Sequence, residues 1–155
     1  MKKMTIWGIG PKIMFPGYSI LFILSWMPVK LSISGILNVP GIYTICVSLI
    51  FICIGIIILA FTNSDIKKAV KTNQLITTGM FSRIRNPMYA SHIFFIMPGV
   101  CLLTNNAITL LSILCTVMIF NILILKEEKV LEENFGVEYL NYKKRVRRLL
   151  PKWNI

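Results

Sequence analysis

The amino-acid sequence predicts an all-α fold, a polytopic membrane helical bundle with about four transmembrane helices and a C-terminal amphipathic helix. Three observations predict it. Of 155 residues, 55% are hydrophobic and only 15% charged, whereas a soluble domain carries about 25% charged residues; the mean hydropathy is +0.72. The apolar residues gather in long runs, as membrane spans do. The 17 Lys and Arg, set against 6 acids for a net charge of +11, cluster at the ends of those runs. No polar linker is long enough to separate two bodies, so residues 1–155 read as one domain.

Four runs qualify as spans: 13–28, 42–61, 88–103 and 107–125. At about 1.5 Å per residue, the second and fourth cross a core of about 30 Å unaided. The first and third are short and need thinning or flanking residues to cross. Lys2 and Lys3 precede the first run as in a signal peptide, yet Ser25-Trp26-Met27-Pro28 follows it instead of a small-x-small cleavage site, so a retained span is expected.

Counting Lys and Arg along the successive connections gives 3, 1, 5, 0 and 8. This alternation places both termini in the cytoplasm of a multi-pass protein, with a prokaryotic cell membrane as the expected setting. The connection 62–86 and the tail 126–155 then meet on the same side. Basic residues flanking apolar runs suit anionic lipid, and nucleic acid is not an expected partner. Cys46, Cys53, Cys101 and Cys115 lie inside apolar runs with no CxxC pair; they read as small buried hydrophobes, and no metal site is expected. Alternating strands and helices are missing, which excludes a Rossmann domain, as is any P-loop, GxGxxG or HExxH pattern.

At the cytoplasmic rim, Arg85-Asn86-Pro87-Met88-Tyr89 opens the third run. Asn suits an N-cap and Pro the first turn of a helix. Glu127-Glu128 follows the fourth run, where acids are costly without a partner. Leu131, Phe135, Tyr139, Tyr142, Val146 and Leu149 form an apolar stripe over a helix spanning about 127–148, with a break expected near Gly136. Lys143, Lys144, Arg145, Arg147 and Arg148 surround the stripe. That segment reads either as an amphipathic helix on anionic lipid or as a lid over the rim. His92 is the single histidine and sits more than a turn into the third run, where an imidazole commonly bonds a neighbouring backbone. Pro98-Gly99 should kink that run and open a fissure between helices.

Taken in order, residues 74–81 (Gln74-Leu75-Ile76-Thr77-Thr78-Gly79-Met80-Phe81), the 85–89 motif, Glu127-Glu128, residues 135–142 and residues 146–151 resemble one family. It is the isoprenylcysteine carboxyl methyltransferase family of integral membrane enzymes, which shares its core with the phospholipid N-methyltransferases. The resemblance covers residues 73–151, about half the chain, and Trp7-Gly8-Ile9-Gly10-Pro11-Lys12 looks like the start of many bacterial members. It implies S-adenosylmethionine as cofactor and a lipophilic small molecule or lipidated protein as substrate, drawn from the membrane. Cofactor contacts would come from Gln74, Leu75, Ile76, Phe81, Asn86, Pro87, Met88, Tyr89 and Glu127, with Glu128 and Arg85 as catalytic candidates.

The chemistry of these residue types agrees. A carboxylate accepts ribose hydroxyls or offsets a sulfonium, and an aromatic ring stacks on adenine or faces a cation. Backbone donors at a helix start receive a carboxylate.

The sequence departs from the family at three points. Asn86 stands where the motif usually has His, and it cannot change charge. Leu123 stands where prenylcysteine-methylating members carry an Arg thought to hold the substrate carboxylate. Val146-Arg147 replaces the closing Val-Pro. A phospholipid N-methyltransferase is the alternative acceptor class, and it has no need of an Arg at 123. Outside catalysis, the alternative is a basic-tailed membrane protein that binds lipid or a partner.

Overall fold

The structure, a computed structural model, describes residues 10–31, 41–72 and 74–152. Residues 7–9 of the opening motif, most of the first connecting loop and residues 153–155 lie outside the described residues. Among the described residues every regular element is helical. The helices are α1 (Gly10–Leu31), α2 (Gly41–Thr72), α3 (Pro87–Leu103) and α4 (Leu110–Arg145), with short 3-10 turns at Gly79–Ser82 and Ala107–Thr109.

Two of these, Gly41–Thr72 and the continuous stretch Ala107–Arg145, are long and apolar enough to cross a membrane. Their burial pattern has the sense expected in lipid. The buried positions of α2 are Thr44, Ser48, Gly55, Thr62 and Ala69, small residues at steps of 4, 7, 7 and 7 along one face. Its large side chains point away from the bundle: Ile50 is 57% exposed, Ile57 55% and Phe61 66%. In water this arrangement would forfeit most of the hydrophobic driving force; in lipid, small residues on the inner face let helices pack closely. On α4 the buried Ser112 and Thr116 each return a hydrogen bond to a backbone carbonyl one turn back, 2.6 Å and 2.7 Å long, so neither of these hydroxyls is stranded.

α3 sits between α2 on one side and the α1–α4 pair on the other. The core between α1, α3 and α4 is Ile13, Tyr89, Ile93, Phe120 and Ile124. α3 is not regular: α-helical over Pro87–Ser91, it widens to a π turn over His92–Ile96 and resumes at Met97–Leu103. Pro98 explains this, because its ring displaces the carbonyl four residues back and the backbone rearranges just ahead of it.

The expected fissure is therefore displaced. At Gly99 the helices approach closely instead, since a Cβ there would lie 3.0 Å from the Ser48 carbonyl and 2.7 Å from Ile52. The space between α2 and α3 opens nearer the polar end, around Ala90 to Phe95. The π turn also carries His92, whose Nδ1 lies 2.6 Å from the Tyr18 hydroxyl of α1, so this imidazole joins a neighbouring side chain and not the backbone.

Two elements run past their expected limits. α2 continues eleven residues beyond the expected end at Phe61, and α4 does not stop at residue 125. α4 bends at Gly136, whose φ of 52° and ψ of −124° lie in a region open chiefly to glycine. Beyond the bend Tyr139, Tyr142 and Val146 are buried against Leu75, Leu131 and Phe135, while Val137 is 72% exposed on the opposite side.

Candidate active site

Three chain segments converge at the polar end of the bundle. The first is the connection from α2 to α3, anchored by the Tyr142 hydroxyl donating to the Phe81 carbonyl at 2.6 Å. The second is α4 on either side of Gly136. The third is the segment after Arg145, which pairs with the connection as an isolated parallel bridge between Ile84 and Arg147. The Arg85 amide donates to the Arg147 carbonyl at 2.8 Å, and the Asn86 amide to the Arg148 carbonyl at 3.0 Å.

Asn86 precedes α3 as expected, but its side chain makes no capping bond. Its Nδ2 donates to the Arg148 carbonyl at 3.3 Å instead, so the amide serves the clasp between segments. The first-turn amides of Met88 and Tyr89 have no carbonyl a turn earlier to bond.

Between these segments lies a cleft enclosing about 840 Å³, counting the space at its open mouth. Its walls hold Leu75, Ile76, Phe81, Arg85, Asn86, Pro87, Met88, Tyr89, Glu127 and Glu128, all but one of the candidates proposed from sequence. The exception is Gln74, which is exposed and does not line the cleft. Sequence reasoning missed Ile66 and Val70, which reach the cleft because α2 overruns its apolar stretch, and Ile124 of α4; Leu131, the first residue of the apolar stripe, is also in the wall. Tyr139 and Tyr142 also line it; the sequence placed them on an apolar stripe without saying what the stripe covers.

The two adjacent acids have different surroundings. Glu128 is buried, 3% exposed, and its oxygens are fully engaged. Arg85 Nη1 donates to Oε1 at 2.7 Å, Arg148 Nε and Nη2 donate to Oε1 and Oε2 at 2.8 and 2.9 Å, and Lys143 Nζ stands 3.3 Å from Oε2. Burial pushes the Glu128 carboxyl up, but the Arg148 bond and the charges of Arg85, Arg148 and Lys143 outweigh it. The group is held below its ordinary value. Neither Arg148 nor Lys143 was a sequence candidate; their pairing depends on the chain turning back after Gly136.

Glu127 accepts one bond, from the Tyr89 hydroxyl at 3.1 Å, and faces the cleft. Burial, with the neighbouring Glu128 charge adding to it, raises its carboxyl above the ordinary value against the opposing effect of the Tyr89 bond.

A half-buried acid with most of its acceptor capacity unused, in a cleft walled by apolar and aromatic side chains, is suited to a cationic or hydroxyl-bearing ligand. The sequence model of the phospholipid methyltransferase family matches residues 36–138, about two thirds of the chain. The chain belongs to that family. No curated protein matches the sequence. The protein is thus a membrane methyltransferase, and the family shown is broader than the isoprenylcysteine family its motifs resemble. The matched region contains the 85–89 motif, both acids and Leu131, and it ends just before Tyr139.

The residues present in this methyltransferase fit S-adenosylmethionine. Glu127 offers an anionic acceptor. Arg85 lines the cleft with its side chain 9% exposed and its Nε–H buried without a partner, an orphaned donor of the kind a ligand oxygen satisfies. Phe81, Tyr139 and Tyr142 supply aromatic faces.

Proposed function

We propose that this membrane methyltransferase transfers a methyl group from S-adenosylmethionine to the amine head of a membrane lipid, at the cytoplasmic rim of a four-span bundle. In this reading Gly10–Leu31 and Pro87–Leu103 are the two further crossings, and both termini lie on the cytoplasmic side. The observation that carries the proposal is Glu127: a half-buried carboxylate with one neutral partner, facing a cleft in a chain of this family. When bound, the cofactor supplies an activated methyl group on a sulfonium.

The protein's own residues then do three things. Glu127 accepts from the ribose hydroxyls or offsets the positive sulfur. Arg85, through its spare Nε–H, holds the cofactor's carboxylate beside the α3 amides. The apolar wall of Ile66, Val70, Ile124 and Leu131 keeps water from the reacting atoms, so that orientation supplies most of the acceleration. Glu128 and Arg85 were catalytic candidates from sequence. With its oxygens engaged by three cations, Glu128 is poorly placed to take a proton, and we assign it to building the cleft. The proton released by an amine acceptor passes to water at the cleft mouth.

A prenylcysteine carboxylate is the less supported acceptor. Leu123 packs on the core formed by Ile13, Phe120 and Ile124 and does not line the cleft, so nothing at that position can hold an anion. The test is calorimetric titration of purified protein with S-adenosylhomocysteine, followed by mass analysis of membrane lipids after expression. Micromolar binding that Glu127→Ala removes, with methylated ethanolamine lipids, supports the proposal. Absence of binding by the wild type overturns it and leaves the basic-tailed lipid-binding protein as the reading.

A further inference from the structure

A second cavity lies on the other side of the 84–87 segment from the cofactor cleft. It is an apolar groove of about 770 Å³, counting its open side, between α2, the first half of α3 and the segment after Arg147. Ile58 of α2 and Phe94 and Phe95 of α3 line one end. Leu149 and Leu150 form a side wall, and Leu150 is 56% exposed. The residues of this segment divide between the two cavities: Ile84 lines the groove, Arg85 and Asn86 the cleft, and Pro87 belongs to both walls.

The lining of the groove is almost wholly apolar. Phe94 and Phe95 stand about 11–12 Å along α3 from Pro87, at about 1.5 Å per residue, within the apolar part of the helix. The opposite end carries Met80 and Arg83. Arg83 is exposed and makes no ion pair among the described residues, unlike Arg85 and Arg148, which are both held by Glu128. An apolar trough bordered by the exposed cation Arg83, at the depth where lipid chains give way to headgroups, matches one ligand chemistry: a hydrocarbon chain in the trough attached to a phosphate just outside it.

We infer that this groove binds a membrane phospholipid, its chain along Ile58, Phe94, Phe95 and Leu150 and its phosphate on Arg83, and that this is the acceptor lipid waiting beside the cofactor cleft. The inference rests on the lipid-methylating reading above for the acceptor's identity, though not for the groove's occupancy. Pro87 is the ridge over which the headgroup turns from one cavity to the other. Arg83 is a specificity-determining residue, selecting lipids that carry a phosphate.

The experiment measures lipid retained by delipidated, detergent-purified full-length protein after incubation with phosphatidylethanolamine or with phosphate-free diacylglycerol, read by mass spectrometry. Wild type is compared with Arg83→Glu, Arg83→Lys and Ala90→Phe, the last placing a ring in the groove. S-adenosylhomocysteine binding is measured on each variant. The expected result is at least about a tenfold loss of phosphatidylethanolamine in Arg83→Glu, the scale of a lost charge-assisted contact. Arg83→Lys loses less. Ala90→Phe loses as much, all four proteins hold diacylglycerol weakly and alike, and S-adenosylhomocysteine binding is unchanged. Equal retention of phosphatidylethanolamine by wild type and Arg83→Glu overturns the inference. Arg83 is exposed, so this comparison stands alone if Ala90→Phe does not fold. Retention in the expected pattern without any methyl transfer to lipid keeps the groove and defeats the amine-acceptor reading. Methyl transfer with no difference in retention does the reverse.

Discussion

On one side of α4, Glu128 is enclosed by Arg85, Arg148 and Lys143. One residue earlier, Glu127 meets a single tyrosine hydroxyl and an open cleft. Successive helical residues point about 100° apart, so a pair of identical acids at the same depth serves two regions with different needs. The ion cluster ties together three chain segments beside the apolar contacts of Leu75, Leu131, Tyr139, Tyr142 and Val146. The cleft wall presents an acceptor that remains unsatisfied until something enters. Identical side chains thus differ in function because of what the neighbouring segments bring to them, and the comparison can be tested by treating the two regions separately.

The largest expected effect belongs to the enclosed acid. Glu128→Ala leaves Arg85 buried without its counter-charge and should lower stability by about 3–5 kcal/mol, the usual cost of breaking a buried pair. The more exposed Arg148 and Lys143 contribute the smaller, screened part. Thermal unfolding in detergent measures it, and an unchanged transition would mean the cluster is not structural. Glu127→Ala should show the opposite profile. Its unfolding transition stays in place or rises, because burying that charge is a cost, while S-adenosylhomocysteine affinity falls by about 1.5–3 kcal/mol, the range for a bond to a charged group. A variant that loses stability and keeps affinity would reverse the assignment.

Acid separates the two regions without mutation. The Glu128 carboxyl lies below its ordinary value, so its contribution to stability is present above the unfolded value and is lost as pH falls through the lower, folded one. The Glu127 carboxyl lies above its ordinary value. Its effect on stability has the other sign, favourable below the unfolded value and lost as pH rises through the folded one. In the proposed function, ligand binding needs Glu127 ionised. On acidification S-adenosylhomocysteine affinity should therefore fail first, from above the ordinary carboxylate range, while the fold persists to lower pH. Parallel titrations of binding and unfolding would show the order, and coincident losses would contradict it.

The smallest effect concerns the anchor of the connection. Tyr142→Phe removes the 2.6 Å bond to the Phe81 carbonyl and should cost about 0.5–1.5 kcal/mol. The loss should also loosen the Phe81 side of the cleft enough to weaken ligand binding measurably.

Much of this was legible in the sequence, for reasons particular residues make clear. The cores of α2 and α4 are apolar runs whose length alone marks them. The 85–89 motif and the acid pair are contiguous, so their order could be matched to a known pattern. The overrun of α2 was not legible, because Asn63, Ser64, Asp65, Lys67 and Lys68 read as a loop by polarity. Yet they continue the helix, and with it Ile66 and Val70 reach the cleft. Pro98 signalled an irregularity in α3 but not its site. The π turn ahead of it and the tight contact at Gly99 depend on what α2 places opposite. The cations on Glu128 were out of reach for the same reason: Gly136 announces a bend, and its dihedral angles decide where Lys143 and Arg148 arrive.

The backbone clasp between Asn86 and Arg148 joins residues 62 positions apart, and this has a consequence for how the protein is made. Synthesis proceeds from the N-terminus, so every apolar run has been made before Arg147 and Arg148 exist. Synthesis of the apolar helices and completion of the cleft are therefore separate events in time, the helices first and the cleft second. A chain interrupted between Gly136 and Val146 is expected to insert and persist in the membrane while remaining unable to hold a ligand.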